Sequence, residues 1–431
     1  MMKSRAWVVA AVILGTSVAA PRLAAEDGAG RLARLSGEVA PAVVAWRRDF
    51  HTFPELSNRE ERTSRIVAEE LRRMGVEEVR TGVARHGVVA LIRGGKPGGT
   101  VALRADMDAL AIREQTNLPF ASRSEGVMHA CGHDAHTAIL LGAARVLVEM
   151  RDEIRGTVKL IFQPAEEGSP VGEEGGAKLL IKEGVLERPK PSAIFGLHVT
   201  TELKAGQLGY RFGTSHASVD HFRVTITGKQ SHAAFPHQGE DPIVAAAHVI
   251  TAIQTISSRH VDARRPVVVS VGIVQAGTAW NIIPGQALLE GTVRTHDLKV
   301  RRQVTDYFRR TVENTARAHG TTAAIELDDY GPALWNDAEL GKRMLPSLAR
   351  VAGHQNVVEI EPIMGGEDFG HYAQQIPGFF VALGARDPSA AVTAYPHTPQ
   401  FVLDEAALPV GVRLLASLAI DYLKEETAGE R

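Results

Sequence analysis

HACGHDAHTAILLGAARVLVEM, residues 129–150, is the stretch around which the chain is organised. Its second half carries Ala138, Leu141, Ala144 and Val148 at the three- and four-residue spacing of a helix's buried face. Its first half sets Cys131, the single cysteine of the protein, two residues before His133 at the entrance of that helix. Thiolate and imidazole both suit zinc, so the pair can grip a metal ion. A small buried cysteine beside a capping histidine is the simpler alternative, and the surrounding chain has to decide between them.

Working outward, residues 31–49 and 58–74 have helical spacing, the second opening on Asn58 as a cap with Glu60 and Glu61 behind it. HTFPELS at 51–57 reads as a turn between them, with His51 a structural loop histidine. Apolar runs at 88–92 and 101–103 read as strands flanking the turn-rich GGKPGG at 94–99. The second run ends in RADMDAL, which puts Asp106 and Asp108 just past a strand. Beyond the central helix come a strand at 158–162, a helix at 177–183 and a strand at 193–197. This alternation predicts an open, mostly parallel α/β sheet. Reacting groups in such sheets collect beyond the carboxyl ends of the strands, and those ends here carry Asp106, Asp108, Glu166, Glu167 and His198. Glu166 and Glu167 are neighbours on extended backbone, whose side chains point opposite ways, so one can bind metal while the other carries a proton.

After about residue 215 the pattern changes. Phe222, Val224 and Ile226 alternate with Arg223, Thr225 and Thr227, the period of a half-buried strand. Asp241-Pro242 then opens a helix to about 258, followed by strands at 267–273 and 286–294, a helix at 298–319 and a strand at 322–327. The order βαββαβ is the ferredoxin-like unit. The chain therefore divides into a catalytic α/β domain at 26–214 and 330–431, interrupted by a small domain at 215–329. In the returning segment, Glu367 and Asp368 follow a Gly-Gly turn and either line a pocket or cap a short helix. A loop then carries HTPQF at 397–401.

Residues 1–25 stand apart as a signal peptide. Lys3 and Arg5 precede an apolar run at 6–20, and small residues end in Leu23-Ala24-Ala25. The run is shorter than the roughly 20 residues that span a bilayer, and no later segment reads as a span. The expectation is an exported, periplasmic or secreted protein. With 48 basic against 50 acidic residues, the bulk charge attracts neither nucleic acid nor an anionic membrane. A lone thiol in an oxidising compartment is a liability unless buried or bound, which favours the metal reading of Cys131.

Nine motifs together resemble the M20 family of metallopeptidases and amidohydrolases, in the branch that holds hippurate hydrolases, N-acyl-amino-acid amidohydrolases and indole-acetyl-amino-acid hydrolases. They are RADMDAL (104–110), HACGHDAHT (129–137), FQPAEEG (162–168), GLHV (196–199), SHAAFPH (231–237), NIIPG (281–285), GTVRT (291–295), GGEDF (365–369) and HTPQF (397–401). The resemblance implies a metal-dependent hydrolase of linear amides with two divalent ions, zinc or manganese foremost, cobalt or nickel as alternatives. Cys131, His133, Glu167, His198 and His397 look like the ligands, Glu166 like the general base. Asp108 looks like a residue that holds a ligand or the base in place. This chain has Asp106-Met107-Asp108 where other M20 enzymes carry His-x-Asp, so Asp106 is not counted as a ligand. The small domain resembles the family's lid and dimerisation surface, implying a homodimer. Within it, His232 looks like the residue that polarises the scissile carbonyl, in cis or in trans, and Asn281 and Arg294 like holders of the substrate carboxylate. Read alone, His232 and Asn281 are ordinary turn residues and Arg294 a solvated strand residue. The implied reaction is hydrolysis of N-acyl or N-aroyl amino acids. The alternatives are a dipeptidase or carboxypeptidase of the same family, and a solute-binding protein that closes on its ligand without chemistry.

Overall fold

The computed structural model describes residues 27–387 and 394–429, so the leader read at 1–25 lies outside it. The larger of its two main sheets has eight strands. In spatial order they are Glu78–Val83, Gly87–Arg93, Arg155–Gln163, Lys96–Asp106, Ala193–Lys204, Gly378–Arg386, Leu208–Tyr210 and Val357–Glu359. The four central ones, from Arg155–Gln163 to Gly378–Arg386, run parallel to one another. The expected open α/β sheet is thus present, with antiparallel strands at one margin and a short mixed pair at the other.

Alternation along the central strands assigns the two faces. Val101, Leu103 and Ala105, with Phe195, Leu197, Val199, Phe379, Val381 and Leu383, join the larger core. The helices Gly28–Thr52, His133–Glu149 and Leu408–Gly429 cover that side. Ala102, Ile161, Ile194 and Phe380 point the other way, against the short helices Gly176–Lys182 and Gly370–Ala373. The helix His133–Glu149 is buried nearly all round, so its entrance is held rigidly against the sheet.

The second sheet is antiparallel, in the order Val267–Ala276, Gln286–Thr295, Ser218–Thr227 and Thr322–Gly331. Two amphipathic helices, Pro242–Ile253 and Leu298–Ala318, bury Val249, Ile253, Val304, Phe308 and Val312 against its inner residues Phe222, Val224, Leu289 and Val293. This is the ferredoxin-like arrangement. Asp241 and Asp297 cap the two helices through hydrogen bonds to their first amides.

Several local expectations need correction. His51 is not in a loop but in the last turn of the first helix, buried. Asn58 does not cap the second helix, which is Glu61–Arg73; it sits at φ 59° in the preceding turn. The strand Lys96–Asp106 begins inside the GGKPGG segment. Among the described residues, Glu405–Glu426 is long and apolar enough to cross a membrane by composition, yet 67% of its apolar window is buried, chiefly against the main core.

Candidate metal and hydrolytic site

The carboxyl ends of three central strands and the entrance of the central helix converge at one point. Gly132 makes that convergence possible. It stands at φ 97° between Cys131 and His133, and a Cβ there would lie 2.3 Å from Val199 Cγ2 on the neighbouring strand. The left-handed turn lets both flanking side chains face the same space.

Cys131 Sγ lies 3.3 Å from His198 Nε2, while His198 Nδ1 donates to the Val199 carbonyl at 2.7 Å and so leaves Nε2 free as a lone-pair donor. His133 is oriented in the same way: Nδ1 faces the Asp108 carbonyl and carboxylate at 3.0 and 3.2 Å. Its Nε2 is buried without a hydrogen-bond partner, 3.9 Å from Glu166 Oε2 and 4.0 Å from Glu167 Oε1. Glu167 Oε1 also lies 3.1 Å from His397 Nε2. Cys131 belongs to two groups whose donor atoms lie within 4.8 Å of one another, Cys131-His133-His198 and Cys131-Glu167-His397. Nitrogen, sulfur and carboxylate donors drawn together, most of them buried, with His397 exposed and one buried nitrogen having no partner, fit divalent cations. The structure therefore brings together all five residues of the expected ligand set.

Electrostatics point the same way. Burial, with the Glu367, Glu167 and Asp368 carboxylates, pushes Glu166 well above the usual carboxylate range. Burial and Glu167 push the Cys131 thiol well up. These shifts record negative groups crowded together out of water, which a bound cation would relieve.

Around this centre is a frame that sequence reasoning only partly found. Asp108 Oδ2 accepts from Ser57 Oγ at 2.7 Å and from the Glu167 amide at 2.9 Å, tying a metal-facing histidine and the Glu166-Glu167 turn to one carboxylate. Ala165, at φ 54°, begins that turn, and its amide donates to the buried Glu60 at 2.8 Å. Arg104, fully buried, bonds Asp106 at 2.6 Å, Asp368 at 2.8 Å and Gln163 at 3.0 Å, with Glu367 at 3.1 Å. Asp106 in turn holds His136 Nδ1 at 2.6 Å. Burial opposes the ionised form of Asp106, but His133, His136 and Arg104 more than offset it and hold the carboxyl well below its usual range. A charged residue inside an apolar strand was the signal for Arg104. Of the two readings of the Gly-Gly-Glu-Asp turn, the pocket one holds: Glu367 and Asp368 line the cavity, while the short helix Gly370–Ala373 has no side-chain cap and Glu367 accepts instead from the Phe369 amide at 2.9 Å.

That cavity is about 720 Å³. Cys131, Glu166, Glu167, His198 and His397 form one end, and Leu203, Ile360, Ile363 and Phe380 contribute an apolar wall. Arg294 lines it as well, half-buried, donating to the Met364 carbonyl at 3.1 Å and paired with no carboxylate among the described residues. His232 and Asn281 are not brought there. Both are exposed on a ribbon formed by Ser231–His232 and Ile282–Ile283, where the Ala233 amide bonds the Asn281 carbonyl at 3.0 Å.

A model of peptidase family M20/M25/M40 matches residues 102–421. N-acetylcysteine deacetylase of Bacillus subtilis is 42% identical over 382 residues, covering 89% of this chain and 97% of that protein. Thermostable carboxypeptidase 1 of Saccharolobus solfataricus is 40% identical, covering 89% and 96%. The crystal structure of a dinuclear metal-binding peptidase of the M20 family from Bacillus subtilis superposes with a TM-score of 0.76 at 40% identity, covering 90% and 99%.

Proposed function

This chain belongs to peptidase family M20/M25/M40, whose members hydrolyse amides or peptides, and from that premise we propose that it is an exported amidohydrolase of N-acyl or N-aroyl amino acids. The observation that carries the substrate class is Arg294, a half-buried guanidinium without a carboxylate partner among the described residues, in one cavity with the donor groups and an apolar wall. A guanidinium fork suits the substrate's carboxylate, and the wall suits an acyl chain. A peptide substrate would share the carboxylate contact and differ at the acyl end. A solute-binding protein would have no use for the donor set.

Cys131, His133, Glu167, His198 and His397 would hold two divalent ions, with zinc favoured by the thiolate and manganese, cobalt or nickel compatible with mixed donors. Such ions, when bound, lower the pKa of water and polarise a carbonyl. The chain's own part follows from its geometry. Glu166 Oε1 accepts from the Asp368 amide at 3.3 Å, which fixes the carboxyl and leaves Oε2 directed toward His133. Glu166 takes the proton of the attacking water at Oε2 and delivers it to the leaving amine. The Glu367 and Asp368 carboxylates beside it favour its taking up that proton. Asp108 keeps His133 and the Glu167 turn in register while this happens.

His232 would donate to the developing oxyanion and Asn281 to the substrate, and neither reaches the cavity of its own chain. The same ribbon and its neighbours expose Phe235, Ile243, Val274, Trp280 and Ile282, an apolar surface suited to a second copy of this chain. We therefore assign the ribbon to a homodimer in which the partner's His232 serves this site. Mixing Glu166→Gln and His232→Ala proteins should restore activity; if the mixture stays as inactive as its parts, the residue acts in cis.

The decisive experiment is a substrate panel, N-acetyl, N-benzoyl and indole-acetyl amino acids against simple dipeptides, with added zinc or manganese. Glu166→Gln should keep its metal content and lose about 10²- to 10⁴-fold in kcat. Full activity in a metal-loaded Glu166→Gln protein would remove Glu166 as the base, and exclusive turnover of dipeptides would replace the acyl reading. Amino-terminal sequencing of the mature protein tests the cleavage expected after Ala25.

A further inference from the structure

Arg294 faces the cavity, whereas Asn281 of the same chain lies on the exposed ribbon and would reach a cavity only from a partner copy. Within this chain, His216 lines the same cavity as Arg294. It ends the strand Gly213–His216, which leads through Ala217 into Ser218–Thr227, and there Val219 is directly opposite Arg294. Both side chains flank one strip of backbone. His216 forms a bridge with Ile363, the Ala217 amide donates to the Gly365 carbonyl at 2.9 Å, and Arg294 bonds the Met364 carbonyl between them. Both line the same cavity.

The chemistry of the His216 ring is set by its neighbours. It packs edge-to-face with Phe380, ring centroids 5.9 Å apart and planes at 81°. Nδ1 lies 3.0 Å from Ser215 Oγ, a hydroxyl with no other side-chain acceptor among the described residues. With the hydroxyl donating to Nδ1 the ring proton sits on Nε2, the tautomer from which the proposal proceeds. Nε2 has no protein partner among the described residues and is not sealed from the cavity. Burial and the nearby His296 lower the pKa of His216 to about 4, so it is neutral at physiological pH and still a donor.

We propose that His216 is a substrate-binding residue, its Nε2–H donating to the α-carboxylate of the substrate beside the Arg294 fork. This rests on the carboxylate reading of Arg294 made above and adds a residue to it. Because the α-carboxylate is untouched by the reaction, the contact strengthens ground state and transition state alike, and its loss appears in KM with kcat unchanged. His216 thereby selects acyl amino acids with a free carboxylate over their amides.

The test is a cycle between enzyme and substrate, using the fastest N-acyl amino acid of the panel and its α-carboxamide. His216→Phe keeps the ring packing and removes the donor. It should raise KM for the carboxylate substrate roughly ten- to a hundredfold, the worth of a hydrogen bond to a charged group, with kcat within about twofold. On the carboxamide it should change little. His216→Gln, which retains an N–H, should recover much of the loss, and it serves as the test protein if the phenylalanine variant does not fold. An equal KM penalty on both substrates, or a loss confined to kcat, overturns the proposal. Arg294→Gln separates the premises: if its KM penalty is also equal on carboxylate and carboxamide, the carboxylate reading itself is wrong. If the Arg294→Gln penalty falls on the carboxylate substrate alone and the His216→Phe penalty falls equally on both, only the role of His216 falls.

Discussion

Replacing Gly132 by alanine should damage both the fold and the metal site, and the size of the damage can be worked from the structure. Two costs add. A residue with a Cβ at φ 97° is held in the left-handed region at about 1–2 kcal/mol. The new methyl would also lie 2.3 Å from Val199 Cγ2, where contacts of roughly 3.5–4.0 Å are comfortable. Val199 is itself buried, so relieving the overlap means moving its strand or the helix entrance, an overpacking cost of about 1–3 kcal/mol. The sum is about 2–5 kcal/mol. The consequence is local as well, because Val199 follows His198 and Gly132 follows Cys131, whose donor atoms lie 3.3 Å apart. Denaturant unfolding of the metal-free protein measures the first effect, and competition with a chelator for zinc measures the second. In a Val199→Ala background the overlap disappears and only the backbone cost remains, so the two substitutions should be non-additive by about 1–3 kcal/mol. A Gly132→Ala protein within about 0.5 kcal/mol of wild type, additive with Val199→Ala and unchanged in metal affinity, would refute the claim that this turn sets the site.

Two further outcomes are expected. Adding zinc should raise the unfolding midpoint by mass action, about 2.7 kcal/mol at a hundredfold excess over Kd, and Cys131→Ala should shrink that gain and lower metal occupancy by elemental analysis; unchanged occupancy would take the thiolate out of the ligand set. His51 offers a pH test. Burial lowers its pKa, but hydrogen bonds to Asp134 at 2.9 Å and to Glu114 more than compensate, so the folded value stands above the ordinary 6.5. A group raised in this way contributes stability that is fully present below about pH 6.5 and lost as pH rises through the folded value. The stability advantage of wild type over His51→Gln should therefore be greatest near pH 6 and shrink toward pH 9. An advantage that grows with pH would show that His51 is bound as the neutral ring.

Much of the architecture was legible because it is written in short-range periodicity. The central helix, the parallel strands and the βαββαβ order each announce themselves in apolar spacing within one element. The short strands Glu78–Val83, Leu208–Tyr210 and Gly213–His216 escaped notice because three to six residues hold too little of a repeat to register. Residue chemistry was equally local: Cys131 beside His133, and two glutamates after a strand, declare a capacity for metal and proton work. The sequence by itself thus determined the longer helices and strands, the fold class and the inventory of reactive groups.

Only the tertiary structure decided which of those groups meet. Arg104 binds Asp368 across 264 residues, and the His397 amide is fixed on the Ala130 carbonyl, contacts no spacing rule can see. Folding set Glu60 under Ala165, brought Arg294 and His216 to one cavity, and left His232 and Asn281 on an outer ribbon. The physical reason is that hydrophobic patterning fixes which face of each element is buried, whereas hydrogen bonds, pKa shifts and donor sets depend on distances of a few ångströms between elements. Those distances exist only once the cores have packed.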